Sequence, residues 1–162
     1  MTVELTPTRD DERENFIINI QASFRQSVAD IFGSNEEVIP REDVIKSFDT
    51  VGAQVLNIIR EGEIVGGAVV VINSNNHNEL LLFFVKVEHI GKGIGNAAWR
   101  AIEHRYPDTK VWTTLTPYLD KRNVHFYINK CGFHAVEFLN PHHPDPEHGD
   151  EEFFRFEKVV KP

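Results

Sequence analysis

Residues 79–87 read ELLLFFVKV, an almost wholly apolar run. A strand of this kind has to be covered on both faces, so the chain needs layers above and below a central sheet. The next stretch, residues 88–99, reads EHIGKGIGNAAW. Gly91, Gly93 and Gly95 occupy alternate positions there, with Lys92 between the first two. Ile94, Ala97, Ala98, Ala101 and Ile102 then recur at helical spacing, which predicts a helix with a small-residue face that packs closely on a sheet. A buried strand thus leads through glycines into a helix. The free N–H groups and dipole of a helix N-terminus attract anions, and glycines let the backbone wrap around one without Cβ clashes. With Lys92 adding a positive charge, the expected ligand is a phosphate or pyrophosphate. A G-x-x-x-x-G-K-[ST] loop is absent, and Asn96 stands where a G-x-G-x-x-G fingerprint needs its last glycine.

The flanking patterns fill in the architecture. Val3 to Thr8 reads as a short strand, and Asp10 and Asp11 suit the start of a helix. That helix carries Phe16, Ile17, Ile20, Phe24, Val28 and Ile31 on its apolar side, and Gly33, Ser34 and Asn35 stop it. A second short helix is expected over 41–48. Strands are expected over 53–60 and 63–73, joined by a Glu61-Gly62 turn of hairpin type. Gly66 and Gly67 inside the second of these strands suggest a bend or a close backbone approach. Beyond Pro107 come a strand over 110–116, a short helix over 123–131 capped by Gly132, and closing strands over 133–139 and 152–159. The order β-α-α-β-β-β-α-β-α-β-β describes an α/β single domain, residues 1–162, with a mixed sheet.

A net charge of −8 removes the basic footprint that non-specific nucleic-acid binding requires. Cys131 is the only cysteine, so neither an intrachain disulfide nor a cysteine-based zinc site exists, which fits a reducing compartment. Neither a signal-peptide pattern at the N-terminus nor an apolar run of membrane-spanning length is visible. The expectation is a cytoplasmic protein with no nucleic-acid or membrane partner.

Two runs carry a family resemblance. FFVKVEHIGKGIGNAAWRAIE resembles the coenzyme A-binding motif of the GCN5-related N-acetyltransferases (GNAT superfamily), and DKRNVHFYINKCGFHAVEF resembles that family's second signature. They stand in the family's order and spacing. With the element order, the resemblance covers nearly the whole chain. It implies a GNAT fold whose central sheet is splayed at the cofactor cleft and flanked by helices. It also implies acetyl-CoA as co-substrate, with CoA as product.

By that resemblance, the strand over 79–87 ends in a bulge and parts from its neighbour, and the pantetheine arm slots into the gap. Backbone groups near Val85 and Val87 would hydrogen-bond the arm. The segment Ile90, Gly91, Lys92, Gly93, Ile94, Gly95 and Asn96 would hold the pyrophosphate. Asn123 would contact the arm, Phe126 would pack beside it, and Lys121 and Arg122 could reach the phosphates. Tyr127 would be the catalytic residue, since a phenol is still protonated at neutral pH and can supply the proton that a leaving thiolate needs. One position departs from the pattern: Ile90 stands where the family usually has Gln or Arg.

The general base is not legible. Glu79 and His134 are candidates, as is water; Glu88 reads as solvent-facing. His142, His143, Asp145, His148 and Asp150 resemble a metal-ligand set in composition, but no spacing such as H-E-x-x-H supports a metal. This loop is placed by the resemblance near the acceptor, where its acids would favour an amine. The reading is an N-acetyltransferase acting on a primary amine, with a small cationic acceptor and a possible homodimer. The alternative is a non-catalytic acyl-CoA-binding or sensing module on the same fold. Ile90→Gln restores the missing side-chain contact and is expected to tighten acetyl-CoA binding in a direct titration.

Overall fold

The computed structural model describes residues 1–32 and 39–160. Strand β1 (Glu4–Pro7) is followed by a 3-10 turn (Asp10–Glu12) that opens into helix α1 (Arg13–Phe32), then by α2 (Arg41–Phe48). Strands β2 (Ala53–Arg60), β3 (Glu63–Val71) and β4 (His77–Val85) come next, and then α3 (Ile94–Arg105) and β5 (Val111–Pro117). Helix α4 (Lys121–His125) continues as a π-helical segment (Phe126–Cys131), and β6 (His134–Leu139) and β7 (Phe153–Val159) close the chain. The expected order of strands and helices is the observed one. The helix stop at Gly33, Ser34 and Asn35, and the side chain of Ile31, lie outside what is described. None of the described helices is long and apolar enough to cross a membrane.

All seven strands form one sheet in the order β1-β2-β3-β4-β5-β7-β6. Every pairing is antiparallel except β4 with β5, which α3 connects as a crossover. The Glu61-Gly62 turn has positive φ at both residues (52° and 78°), as a two-residue hairpin requires. On one face of the sheet, Phe16, Ile17 and Ile20 of α1 and Val44 and Phe48 of α2 pack on Val69 and Phe84. On the other, Ile94, Ala98, Trp99 and Ile102 of α3 meet Leu80, Phe83, Trp112 and Phe156. The apolar run of β4 is therefore buried from both sides, which is why it lacks polar alternation.

The fold departs from a regular sheet at β4. Its pairing with β5 runs only from His77↔Val111 to Leu80↔Thr114, after which the two strands separate. Beyond that point β4 stays with β3 and β5 stays with β7. The register against β3 jumps between Val69↔Leu82 and Val70↔Leu80, so Leu81 is an extra residue, a β-bulge. The expected bulge is present, but in the middle of the strand rather than at its end. The strand boundaries also shift, to 77–85 from the expected 79–87. Lys86 N–H still bonds the Val65 carbonyl (2.8 Å), but the chain then turns, with His89 N–H bonded to Lys86 C=O (2.9 Å). Val87 thus sits in a 3-10 turn and not in the strand.

Gly66 and Gly67 are where two backbones and a ring crowd together. A Cβ at Gly66 would press on the Phe84 carbonyl and lie 3.2 Å from Val85 Cα; at Gly67 it would press on the Phe16 ring. Since a carbonyl in a paired strand cannot give way, Gly66→Ala is expected to cost about 1–3 kcal/mol. In thermal unfolding this is a drop of several degrees in midpoint, and an unchanged midpoint would contradict the close approach.

Candidate active site

Three glycines prepare the start of α3, and they do different jobs. Gly91 (φ 83°) and Gly93 (φ 79°) are left-handed, and Cβ atoms there would meet open space or only the tip of Met1 at 4.0 Å. Glycine is needed at these two positions for backbone conformation, not for room. Gly95 is the reverse: a Cβ would lie 3.2 Å from the Phe126 ring, so this glycine lets α3 approach the segment after α4. Gly93 is the N-cap residue, with no side-chain cap and no acidic residue in the first turn. The first intrahelical bond is Ala97 N–H to Gly93 C=O (3.2 Å), so the N–H groups of Ile94, Gly95 and Asn96 lie ahead of it.

A cavity of about 440 Å³ opens in front of these groups. Among the residues named from the sequence, Val85, Ile90, Gly91, Gly93, Ile94, Gly95, Asn96, Asn123 and Phe126 line it. Val87, Lys92 and Tyr127 do not; Lys92 is exposed between the two left-handed glycines. Arg122 also lines the cavity, as expected. Ser23 and Phe24 of α1, His89 and Lys130 line it too; the sequence pattern gives none of them a site role, and Phe24 counts there only as an apolar helix residue. Ser23 and Phe24 come from a helix about sixty residues upstream, and only tertiary packing brings them here. Phe83 and Phe126 stack at 5.7 Å with an interplanar angle of 20°, forming an apolar wall.

The cavity's electrostatics stand apart from the chain's. In a protein of net charge −8, no Asp or Glu is among the lining residues described, whereas Arg122, Lys130 and the dipole of α3 are. The Asn96 Oδ1 atom and both ring nitrogens of His89 are buried without a hydrogen-bond partner. A second cleft of about 490 Å³ is lined by Glu12, Glu63, Lys86 and the amides of Asn15, Asn19 and Asn57. It is slightly larger, but its two carboxylates make it a poor place for a polyanion. The smaller cavity, with a helix N-terminus, Arg122 and Lys130 and no carboxylate among its described lining, is the better fit to an anion.

Next to Asn123 of the cavity wall, Asp120 organises the start of α4 as its N-cap. This buried carboxylate accepts from the Asn123 N–H (3.2 Å), from Asn123 Nδ2 (3.0 Å) and from Ser27 Oγ of α1 (2.5 Å). It therefore fixes the Asn123 side chain and ties α1 to α4. Tyr127 is 5 % exposed, wedged against Phe126, Phe133 and Phe156. Burial raises its pKa above the usual phenol value, and the nearby Cys131 and Asp120 push the same way. Burial also pushes the Cys131 thiol up to about 12, which makes it a packing residue rather than a nucleophile.

The two base candidates fall on one cross-strand row. Glu79 pairs with Thr113, Thr113 with Glu157, and Glu157 with His134. Directly paired residues share a face, so all four project to the same side of the sheet. That row lies one step before the strands part. The loop over 140–150 folds as two tight turns closed by bridges at Asn140↔His143 and Asp145↔Gly149. His143 pairs with Glu137 (2.5 Å) and His148 with Asp145 (3.2 Å), while Arg155 holds Glu137 (2.8 Å) and lies 3.6 Å from Asp145. Hydrogen bonds from Arg155 and His143 hold the Glu137 carboxyl below its usual range. Among the described residues no group of three or more His, Cys, Asp or Glu is placed to hold a metal ion.

Comparison with known proteins agrees with this geometry. The profile of the Acetyltransferase (GNAT) family matches residues 22–133. An uncharacterised protein of Bacillus subtilis, YrkN, is 45% identical over 174 residues, covering 98% of this chain and 94% of that protein. Among solved structures, a ribosomal-protein alanine N-acetyltransferase of Escherichia coli superposes with a TM-score of 0.73 at 8% identity, over 99% of this chain and 96% of the other. The PaiA N-acetyltransferase of Thermoplasma acidophilum, solved in complex with coenzyme A, gives 0.70 at 18% identity, over 99% and 100%. A spermidine N-acetyltransferase chimera involving Vibrio cholerae gives 0.69 at 12%, over 98% and 96%. The profile match over most of the chain, on a sheet that parts beside a glycine-opened helix, makes this protein a member of the GNAT family of acetyltransferases.

Proposed function

We propose that the protein is an acetyl-CoA-dependent N-acetyltransferase for a small cationic primary amine. The observation that carries this reading is the cavity at the start of α3, without a carboxylate among its described lining and bounded by Phe83, Phe84 and Val85, the end of β4 that has left β5. The N–H groups of Ile94, Gly95 and Asn96, with Arg122 and Lys130 nearby, would take the pyrophosphate. The edge of β4 from Leu81 to Val85, left without a partner on its β5 side, offers peptide groups to the pantetheine arm. Ile90 adds only an apolar contact where the family usually has a polar side chain. Coenzyme A supplies an activated acetyl thioester when bound. Val87 lies in the turn beyond the strand and Lys92 points outside the cavity, so neither is given a first-line role.

In transfer, the amine nitrogen forms a bond to the acetyl carbon and the carbon–sulfur bond breaks. One proton has to leave nitrogen and one has to reach sulfur. Tyr127 would lend its phenolic proton to sulfur and regain one from the nitrogen, so no net charge accumulates on the protein. Its place supports this: the ring packs against Phe126 of the cavity wall and against Phe156, whose cross-strand partner Thr114 stands at the last paired rung before the strands separate. A cationic acceptor is favoured by the open row bearing Glu79 and Glu157 one step away, and by Glu137 and Asp145 above the same half of the sheet. Glu79 is the nearer candidate to receive the ammonium proton before attack. The relatives named above act on acceptors as different as a ribosomal-protein alanine and spermidine, so the acceptor here rests on charge and not on kinship.

Thermal unfolding tests the cofactor and thiol release tests the chemistry. Acetyl-CoA at about 100 times its Kd is expected to add ~2.7 kcal/mol, about 5–10 °C in a chain of this size. With a panel of diamines, polyamines and amino acids, free thiol should appear for the cationic amines. A midpoint shift with no thiol release from any amine would favour the sensing module instead. Tyr127→Phe is expected to lower kcat about a hundredfold or more with little change in acetyl-CoA affinity. Because burial raises the Tyr127 pKa, the phenol stays protonated as the amine loses its proton. The rate should therefore rise with pH and show no downturn by about pH 10, where a free phenol ionises.

A further inference from the structure

The cleft beside the β2–β3 hairpin carries a set of groups that acetyl transfer does not use. Its volume, about 490 Å³, is in the range of small-molecule sites. Glu12 of the 3-10 turn and Asn15 and Asn19 of α1 line it at a spacing that puts them on one helical face. Glu63 of the hairpin lines it too, and Phe16, Ile64 and Phe84 add apolar surface.

The polar lining is held in place, yet part of it is unspent. Glu12 Oε1 accepts from Arg9 N–H (2.9 Å) and from Asn57 Nδ2 (3.0 Å), with Arg9 Nε at 3.8 Å. Asn57 is 3 % exposed, and Thr8 Oγ1 donates to its Oδ1 (2.9 Å), so a buried chain of hydrogen bonds fixes the Glu12 carboxylate. Among the described residues nothing bonds Glu12 Oε2, and the side-chain amides of Asn15 and Asn19 have no hydrogen-bond partner. Glu63 is in the same position: the nearest basic group is His89 Nε2 at 3.9 Å, beyond hydrogen-bond reach. Lys86, the cation of the described lining, is paired with Glu88 (3.1 Å), which is not part of it. The cleft thus presents carboxylate oxygens, which accept, and carboxamides, which both donate and accept.

We propose that this cleft is a second ligand site, separate from the cofactor cavity, for a small organic cation that carries hydroxyl groups, such as an amino sugar. The ammonium group pairs with Glu63. The hydroxyls bridge Glu12 Oε2 and the amides of Asn15 and Asn19, since each hydroxyl gives one hydrogen bond and takes others. A bare metal ion is the wrong occupant, because among the described residues no group of three or more His, Cys, Asp or Glu is placed to hold one. Leu80, Thr114 and Tyr127 are not part of the lining, so this is not where an acceptor meets the thioester. Phe84 lines both cavities, and His89 of the cofactor cavity stands beside Glu63, so the occupant shares a wall with the cofactor without entering its cavity.

Titration of isotope-labelled protein, followed by two-dimensional NMR with no acetyl-CoA present, tests the site. The probes are glucosamine, glucose, which lacks the charge, and butylamine, which lacks the hydroxyls. Glucosamine is expected to shift the side-chain amide signals of Asn15 and Asn19 and the Glu63 backbone signal saturably, and to bind about tenfold or more tighter than either control. Glu63→Gln should weaken glucosamine about tenfold and leave glucose unchanged. Asn19→Leu should weaken both sugars and leave butylamine unchanged. Glu79→Gln, on the row of carboxylates before the gap, should leave the response at the cleft as it is. If Asn19→Leu disturbs the fold, Asn15→Leu, at an exposed position, carries the same comparison. The site is overturned by any of three results: no saturable shift of the Asn15 and Asn19 signals up to about 100 mM glucosamine, equal affinity for the three probes, or wild-type affinity in Glu63→Gln. Shifts confined to β5 and β7 or to residues 90–96 overturn it too, by placing the amine on the acceptor row or in the cofactor cavity. None of these readouts needs turnover, so the result stands apart from the transferase reading.

Discussion

Everything this structure offers a ligand follows from the interruption of one strand pairing. A sheet gains most when each strand keeps its neighbours, because every unpaired buried peptide group costs free energy. Here β4 and β5 pair over four rungs and then separate. The cost is met locally: the Leu80 carbonyl is taken by the Thr114 hydroxyl, and the bulge at Leu81 turns the strand away from its former neighbour. Crowding at Gly66 and Gly67 lets β3 and α1 follow the bent strand closely. Helices pack on both faces of the sheet around this break. What remains is a slot with peptide groups on one wall and an anion-attracting helix end at its mouth.

Charge sorts the surfaces around that slot. The chain is acidic, yet the cavity at the start of α3 is lined by cations and neutral groups. The carboxylates collect on the open face of β5, β7 and β6 and in the second cleft. Over distances of one Debye length or more such differences are screened, but within a partly enclosed cavity they act at close to full strength. A polyanion and a cation would thus be drawn to different sides of the same sheet. They would meet only at the gap between the two strands.

The element order was legible because the helices and outer strands carry clear periodicity, and the glycine segment because its chemistry is local. Residues 90–96 depend on their own backbone, so a linear motif captured most of the wall they form. The misses have a common cause. LLLFF has no alternation, since both its faces are buried, and so neither the bulge at Leu81 nor the end of the strand at Val85 could be read from it. The unbroken apolar run puts Val87 in the strand for that reason, whereas it lies in the turn beyond it. Ser23 and Phe24 reach the cavity from α1, and Phe156 meets the Tyr127 ring from β7; these are contacts between distant segments that no spacing encodes. Asn123 lines the cavity, and Asp120 three residues earlier holds its amide nitrogen in place, a support that the linear motif does not spell out.

The π-helical segment after α4 has one more implication. Gly132 N–H reaches back five residues to the Tyr127 carbonyl, which also receives Phe133 N–H at 2.9 Å. Such a segment amounts to one residue too many for its span, accommodated by widening the coil. It lets Phe126 stack in the cavity while Tyr127 turns inward to the sheet. The length of this stretch is therefore as much a part of its chemistry as its composition. Removing a single residue between 128 and 131 would let the coil relax to an ordinary α-helix and swing the phenol about a quarter-turn away from β5, with every named side chain still in the sequence.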